Sequence, residues 1–183
     1  PARTIFVEGA ATGTGLEALK SAARNGLAAV GLVSSEERAA YVRAQGAVGA
    51  LNRKDPRWSK IFTPVPEGAA AIAAWEAAGE PLCAAMREQT GGRLADYAVS
   101  HAGQESFPRS FQLLADGGTL TFYGATSGYW FSFVGKRGAV KPEEMLQRAG
   151  LRAGEAVLLY YGVGDPALTD VVGLEAIEAV RAM

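Results

Sequence analysis

The sequence VEGAATGTG, residues 7–15, lies between an apolar run that predicts a strand and a pattern that predicts a helix. Its glycines follow the spacing G-x-x-x-G-x-G, a variant of the commoner dinucleotide-binding motif G-x-G-x-x-G. A pyrophosphate needs a tight turn, a backbone close to its oxygens and a helix N-terminus directed at its charge. Three glycines and two threonine hydroxyl groups are expected to provide these features: Gly9, Gly13 and Gly15, with Thr12 and Thr14. The alternative is a turn that only lets the strand and helix pack.

Apolar runs and helical patterns alternate on both sides of this motif. Strands are predicted at 3–7, 27–33, 47–51, 94–100 and 119–123. Helices are predicted at 16–23, from Ser34 to near Gly46 with a capping box to Glu37, at 69–88 with a break at 79–81, and at 107–114. This order predicts an α/β fold, a parallel sheet with helices on both faces. Because crossovers are right-handed, the expected topology is a doubly wound, Rossmann-type sheet in three α/β/α layers.

The end of the second strand bears on the choice of cofactor. An NAD site usually places an acid there, about 20 residues after the glycines, whereas this chain has Ser34 and Ser35. Nearby basic side chains suit the extra phosphate of NADPH: Arg38, and further along Arg53 or Lys54. Glu36 and Glu37 favour the opposite choice, so NADH stays open as the alternative.

Two more candidate positions fall at the carboxyl edge of the predicted sheet, where the nicotinamide would lie. His101 is the only histidine and follows the fourth strand. Thr126 and Ser127 follow the fifth strand. A structural histidine and a plain surface turn are the respective alternatives.

Composition and missing motifs exclude several classes. A formal net charge of −1 gives no reason to expect nucleic acid or an anionic membrane as a partner. The single cysteine, Cys83, excludes an internal disulfide and a cysteine-rich zinc site, and no metal is expected. Without a membrane span or a signal peptide, cytoplasmic residence is the expectation. The chain contains no P-loop, no G-x-S-x-G elbow and no Tyr-x-x-x-Lys pair of short-chain dehydrogenases.

The C-terminal part repeats features of the N-terminal part. A strand is predicted at 156–161, and Gly173-Leu174-Glu175-Ala176-Ile177 parallels Gly15-Leu16-Glu17-Ala18-Leu19. We therefore divide the chain into a cofactor domain, 1–138, and a segment 139–183. That segment is a linker with a sixth strand and helix, or the start of a second Rossmann-like unit. A strand at the start and a helical pattern still running at Met183 predict a fragment or excised domain.

Five segments, in order, carry a family resemblance: 33–38 (VSSEER), 46–55 (GAVGALNRKD), 90–92 (TGG), 100–107 (SHAGQESF) and 118–129 (GTLTFYGATSGY). With them the chain resembles the cofactor domain of the medium-chain dehydrogenase/reductase superfamily. Within it, the chain is similar to crotonyl-CoA carboxylase/reductases and acrylyl-CoA reductases over about residues 3–133.

The resemblance implies zinc-independent hydride transfer from NADPH to the β-carbon of a short 2-enoyl-CoA thioester. His101 matches the active-site histidine of a Glu-His-Pro-Gly segment, which makes it the candidate catalytic residue. Ser100 and Ala102 replace the glutamate and proline, which favours plain reduction over carboxylation. The separate catalytic domain that shares the CoA thioester is missing, so the isolated chain is expected to be inactive.

The second Rossmann-like start resembles the reductase region of a multifunctional enzyme such as propionyl-CoA synthase. A homo-oligomer formed through the sheet edge is a further expectation. Two alternatives stay open: a quinone or aldehyde reductase of the same superfamily, and a non-catalytic nucleotide-binding module.

Overall fold

The computed structural model describes residues 2–123, 126–128, 133 and 134. Five strands and four helices alternate within them. The strands are β1 (Thr4–Glu8), β2 (Ala28–Val33), β3 (Gly49–Asn52), β4 (Ala95–Ser100) and β5 (Leu114–Phe122). The helices are α1 (Gly13–Arg24), α2 (Glu36–Ala44), α3 (Ala69–Thr90) and α4 (Phe107–Gln112). The predicted sixth strand and second Rossmann-like unit at 139–183 lie outside the described residues, so the division at residue 138 stays a prediction.

The five strands form one sheet in which every neighbouring pair is parallel. Their order is β3-β2-β1-β4-β5. The chain moves outward from β1 to β3, and α3 then carries it back across the sheet to β4. The carboxyl ends of β1 and β4 therefore flank the point where strand order reverses, which is where open α/β sheets bind ligands. The predicted doubly wound sheet is confirmed.

Helices cover both faces of the sheet, and side chains that alternate along β1 divide the core in two. Ile5 and Val7 belong to a cluster with residues of α1 and α2, including Leu19 and Val42. Phe6 belongs to the opposite cluster. That second cluster contains residues of α3 and α4, among them Leu82, Met86, Phe107 and Phe111. The predicted α/β/α layers are thereby confirmed.

The predicted break at 79–81 is wrong, because α3 runs unbroken from Ala69 to Thr90 with Pro81 inside it. Proline removes one backbone donor and crowds the preceding turn, which normally ends or kinks a helix. Here both halves bury apolar side chains, Ile72 and Trp75 before the proline and Leu82 and Met86 after it. Burial of apolar side chains on both sides of the proline holds the two halves in one helix despite the local cost.

The starts of α2 and β5 also differ from the prediction. Helix α2 begins at Glu36, and its N-cap is Ser35, whose side chain accepts from the backbone N–H of Arg38. The capping box expected between Ser34 and Glu37 is therefore wrong. Strand β5 begins at Leu114 rather than at Thr119. Its first part pairs with β4 across a register shift, so Gly117 and Gly118 lie within the strand rather than before it.

No described helix is long and apolar enough to cross a membrane.

Candidate cofactor site

The glycine segment forms a closed turn between β1 and α1. Gly9 has a φ of 63°, which favours glycine. Its carbonyl accepts from the Thr12 backbone N–H at 2.8 Å and from the Thr12 hydroxyl at 2.7 Å. Helix α1 then begins at Gly13 with no acidic residue in its first turn. Because the Thr12 hydroxyl turns back to Gly9, it does not cap the helix, and the first N–H groups of α1 are left for an external anion.

The other two glycines of the motif meet different requirements. A Cβ at Gly15 would overlap the backbone carbonyl of Gly9, so this glycine lets the helix approach the turn. A Cβ at Gly13 would meet nothing within 4 Å. The space beside Gly13 is therefore open, as close approach of a pyrophosphate requires. Both glycines, with Thr14 between them, lie inside the first turn of α1, earlier than the predicted helix start.

A cavity of about 150 Å³ opens at the carboxyl ends of the central strands. Five predicted site residues line it together: Gly9, Thr12, Ser34, Arg38 and His101. Glu8 and Arg53 also line it. Glu8 was not predicted as a site residue, and Arg53 was considered only as a neighbour. The cavity joins the glycine turn to the end of β2, the path that a dinucleotide follows in this fold.

The end of β2 presents basic groups to the cavity. The Arg38 guanidinium donates to the Ser34 hydroxyl at 3.0 Å, which places that side chain beside the strand end. The Glu36 carboxylate accepts from the Asn52 amide at 2.8 Å, and neither residue is among those lining the cavity. Ser35 caps α2 and is not in the lining either. The charge at this end of the cavity is therefore positive, which suits a phosphate monoester.

Glu8, the last residue of β1, is buried, with 4% of the residue exposed. One carboxylate oxygen, Oε2, accepts three hydrogen bonds: from the Ser100 hydroxyl at 2.6 Å, from the His101 N–H at 2.9 Å and from the Ala102 N–H at 3.2 Å. The same oxygen lies 3.9 Å from His101 Nδ1. Glu8 thus connects β1 to the segment that follows β4.

The His101 ring is held between the glycine turn and the end of β5. A Cβ at Gly9 would overlap its Cε1 atom, and the ring stacks on Tyr123 with centroids 5.6 Å apart. Two buried atoms in this group, His101 Nδ1 and the Tyr123 hydroxyl, have no hydrogen-bond partner in the described part of the chain. Burial raises the pKa of Tyr123, against a smaller opposing effect of the nearby Thr12 hydroxyl, so the phenol is protonated at neutral pH.

Thr126 and Ser127 lie beside this group but outside the cavity lining. The Ser127 hydroxyl donates to the Ala102 carbonyl at 2.5 Å, and its backbone N–H donates to the same carbonyl at 2.7 Å. The Thr126 hydroxyl reaches that carbonyl at 3.4 Å. Both residues therefore fasten the segment after β5 to the segment that carries His101.

The described residues do not fit a zinc site. Within them, no group of three or more His, Cys, Asp or Glu side chains could hold a metal ion. The whole sequence contains one histidine and one cysteine, and Cys83 is buried in α3. Histidine and thiolate are the usual zinc ligands, which come in sets of three or four.

The chain is similar to several proteins that act on enoyl-CoA thioesters, as the sequence segments predicted. A crotonyl-CoA reductase of Streptomyces avermitilis is 30% identical over 132 residues, which are 70% of this chain and 27% of that protein. The structure of the crotonyl-CoA carboxylase/reductase AntE in complex with NADP matches with a TM-score of 0.67 and 25% identity, over 73% of this chain and 33% of AntE.

A third similar protein is the 2-octenoyl-CoA carboxylase reductase CinF, solved in complex with NADP and 2-octenoyl-CoA. It matches with a TM-score of 0.59 and 27% identity, over 72% of this chain and 28% of CinF. The chain thus spans about a third or less of the length of these relatives. The predicted likeness to the cofactor domain of medium-chain dehydrogenases/reductases is confirmed. The family model described as zinc-binding dehydrogenase matches residues 13–134, and the chain belongs to that family.

Proposed function

We propose that this chain is the NADPH-binding domain of an oxidoreductase that transfers a hydride to a short 2-enoyl-CoA. One observation supports it most: a single cavity joins the open N-terminus of α1 to Arg38 at the end of β2 and to His101 at the end of β4. The relatives with the same fold are crotonyl-CoA and 2-octenoyl-CoA reductases, and two of their structures contain NADP.

The cavity, the helix start beside it and the neighbouring Tyr123 each suit one part of this cofactor. The first N–H groups of α1 and the open space at Gly13 would receive the pyrophosphate. Arg38, with Ser34 and Arg53 beside it, would receive the 2′-phosphate. His101 and Tyr123, beyond β4 and β5, would border the nicotinamide end. When bound, NADPH supplies the hydride, and the chain's own residues orient it and exclude water.

The proposed substrate class, a 2-enoyl-CoA, is taken from the names of the relatives. A CoA thioester would be shared with a separate catalytic domain, and the isolated chain would bind cofactor without turnover. Ser100 and Ala102 stand where the carboxylating relatives are expected to have glutamate and proline, which supports reduction without carboxylation. His101 would hold or move a proton as charge builds on the thioester. Cytoplasmic residence and an oligomer formed through the sheet edge stay predictions from the sequence.

Calorimetric titration of the chain with NADPH and with 2′-phospho-AMP tests cofactor binding, and Gly13→Asp is the variant. We expect both ligands to bind the wild type and neither to bind the variant, because a carboxylate there would repel the pyrophosphate and the 5′-phosphate. The variant should still fold, since the space beside Gly13 is open and an acid suits a helix N-terminus. Absence of binding by a folded wild-type chain would contradict the proposal and favour a non-catalytic module that has lost nucleotide binding.

A further inference from the structure

We propose that Glu8 is a positioning residue, which holds the segment after β4 so that the His101 ring is fixed at the nicotinamide end of the cavity. The inference rests on the proposed function only in stating that the His101 ring would face the nicotinamide. The positioning itself rests on the contacts of Glu8.

The carboxylate extends the connection between two strands beyond the point where their pairing ends. The backbone register of β1 and β4 stops at Val7 opposite Val99. One residue further, the Glu8 side chain accepts from the Ser100 hydroxyl and from the two backbone N–H groups that follow. A buried carboxylate is tolerated only when hydrogen bonds replace its lost hydration. Glu8 and this segment therefore fix each other.

The fixed backbone leaves the His101 ring little freedom. Gly9, the residue after Glu8, meets one part of the ring, and Tyr123 stacks on one of its faces. The Nδ1 atom is buried, while 25% of the side chain is exposed. The exposed part of the ring thus lies away from Nδ1, and His101 lines the cavity. A shift of the backbone at 101–102 would carry the ring out of this position.

The opposite end of the same strand pair provides a matched control. The Asp96 carboxylate, near the start of β4, accepts from the Thr4 backbone N–H at 2.7 Å and from its hydroxyl at 3.0 Å. It is therefore a second carboxylate that connects β1 to β4. It does not line the cavity, and β4 separates it from His101.

The experiment uses the imidazole Cε1–H signal in the NMR spectrum of the chain, which has a single histidine and hence a single such signal. Glu8→Gln keeps an oxygen at the same reach but removes the charge. Glu8→Asp keeps the charge but is one methylene shorter. We expect the signal of the free Glu8→Gln chain to stay single and to lie nearer the wild-type position than that of Glu8→Asp, which should be displaced or split. Asp96→Ala should lower the stability and leave the signal in place.

Addition of NADPH then tests what the ring faces. In the wild type and in Glu8→Gln, NADPH should shift the signal, whereas 2′-phospho-AMP should bind without shifting it. In Glu8→Asp, NADPH should bind but give a smaller shift. A wild-type signal in free Glu8→Asp would overturn the positioning role, as would a displaced signal in Asp96→Ala. If NADPH does not bind the wild type, the proposed function fails, and the free-chain signals still decide the role of Glu8.

Discussion

At the scale of single residues, the glycines of one motif have different structural roles, and the sequence pattern alone does not distinguish these roles. Gly15 has no space for a side chain because the Gly9 carbonyl faces it. Gly13 has open space. The spacing predicted both as cofactor residues. Only the structure shows that one serves the packing of strand and helix, while the other leaves room for a ligand.

Gly15→Ala and Gly13→Ala form a pair that tests this difference. Gly15→Ala should lower the free energy of unfolding by about 3 kcal/mol, because the added methyl group overlaps backbone that cannot turn away. Gly13→Ala should leave it unchanged or raise it by up to about 1 kcal/mol, since alanine is the better helix residue. Urea denaturation of both variants measures the effect. Equal stabilities would mean that the close approach at Gly15 is not a constraint.

The residues that sequence reasoning missed in the site are Glu8 and Tyr123. Glu8 contacts residues 92 to 94 positions away in the chain. Tyr123 meets His101 from the neighbouring strand end. Neither contact follows from local spacing. The predicted strand order did indicate a role for Glu8, because a charged residue at the buried end of the first strand must find hydrogen-bond partners on an adjacent strand.

At the scale of helices and strands, apolar runs predicted the first four strands to within two residues at each end. Departures occurred where tertiary packing outweighs local preference. Helix α3 continues through Pro81 because it is buried on both sides of the proline. Arg109, in α4, shows the same dependence on distant partners: it lies over the Trp75 ring and donates to the Ile61 carbonyl at 2.9 Å. Burial lowers the pKa of Arg109 to about 10, which still leaves it cationic at neutral pH.

The connection at the amino ends of β1 and β4 predicts a dependence of stability on pH. Hydrogen bonds from the Thr4 backbone, and the nearby Arg93 to a smaller degree, lower the pKa of Asp96 below its ordinary value of 3.8. A carboxyl group with a lower pKa in the folded state stabilises the fold above its unfolded-state pKa. That contribution is lost as the pH falls through the folded-state pKa.

Asp96→Asn removes this dependence. The difference in unfolding free energy between wild type and Asp96→Asn should therefore be constant above pH about 5 and shrink below pH about 4. Urea denaturation at a series of pH values measures it. A difference that stays constant down to pH about 2 would show that Asp96 has the same pKa in both states.

At the scale of the whole molecule, the order of elements predicted the sheet, its layers and the edge at which open α/β sheets bind ligands. The topology brings ends of strands together that are far apart in sequence, so Ser34, Arg38 and His101 meet in one cavity. The sequence indicated these residues separately. Their joint position at the switch point supports one ligand that spans all of them, and NADPH has the required phosphate at one end.

Calorimetric titration of Arg38→Ala with NADPH and NADH tests most directly whether Arg38 binds the 2′-phosphate. Arg43→Ala is the control, because it removes the same charge from the same helix, away from the cavity. A lost hydrogen bond to a charged phosphate costs about 1.5–3 kcal/mol, so NADPH should bind Arg38→Ala about 10- to 150-fold more weakly than it binds the wild type. NADH affinity should not change, and Arg43→Ala should bind both as the wild type does. Equal weakening of NADPH and NADH, or none, would contradict the assignment of Arg38 to the 2′-phosphate.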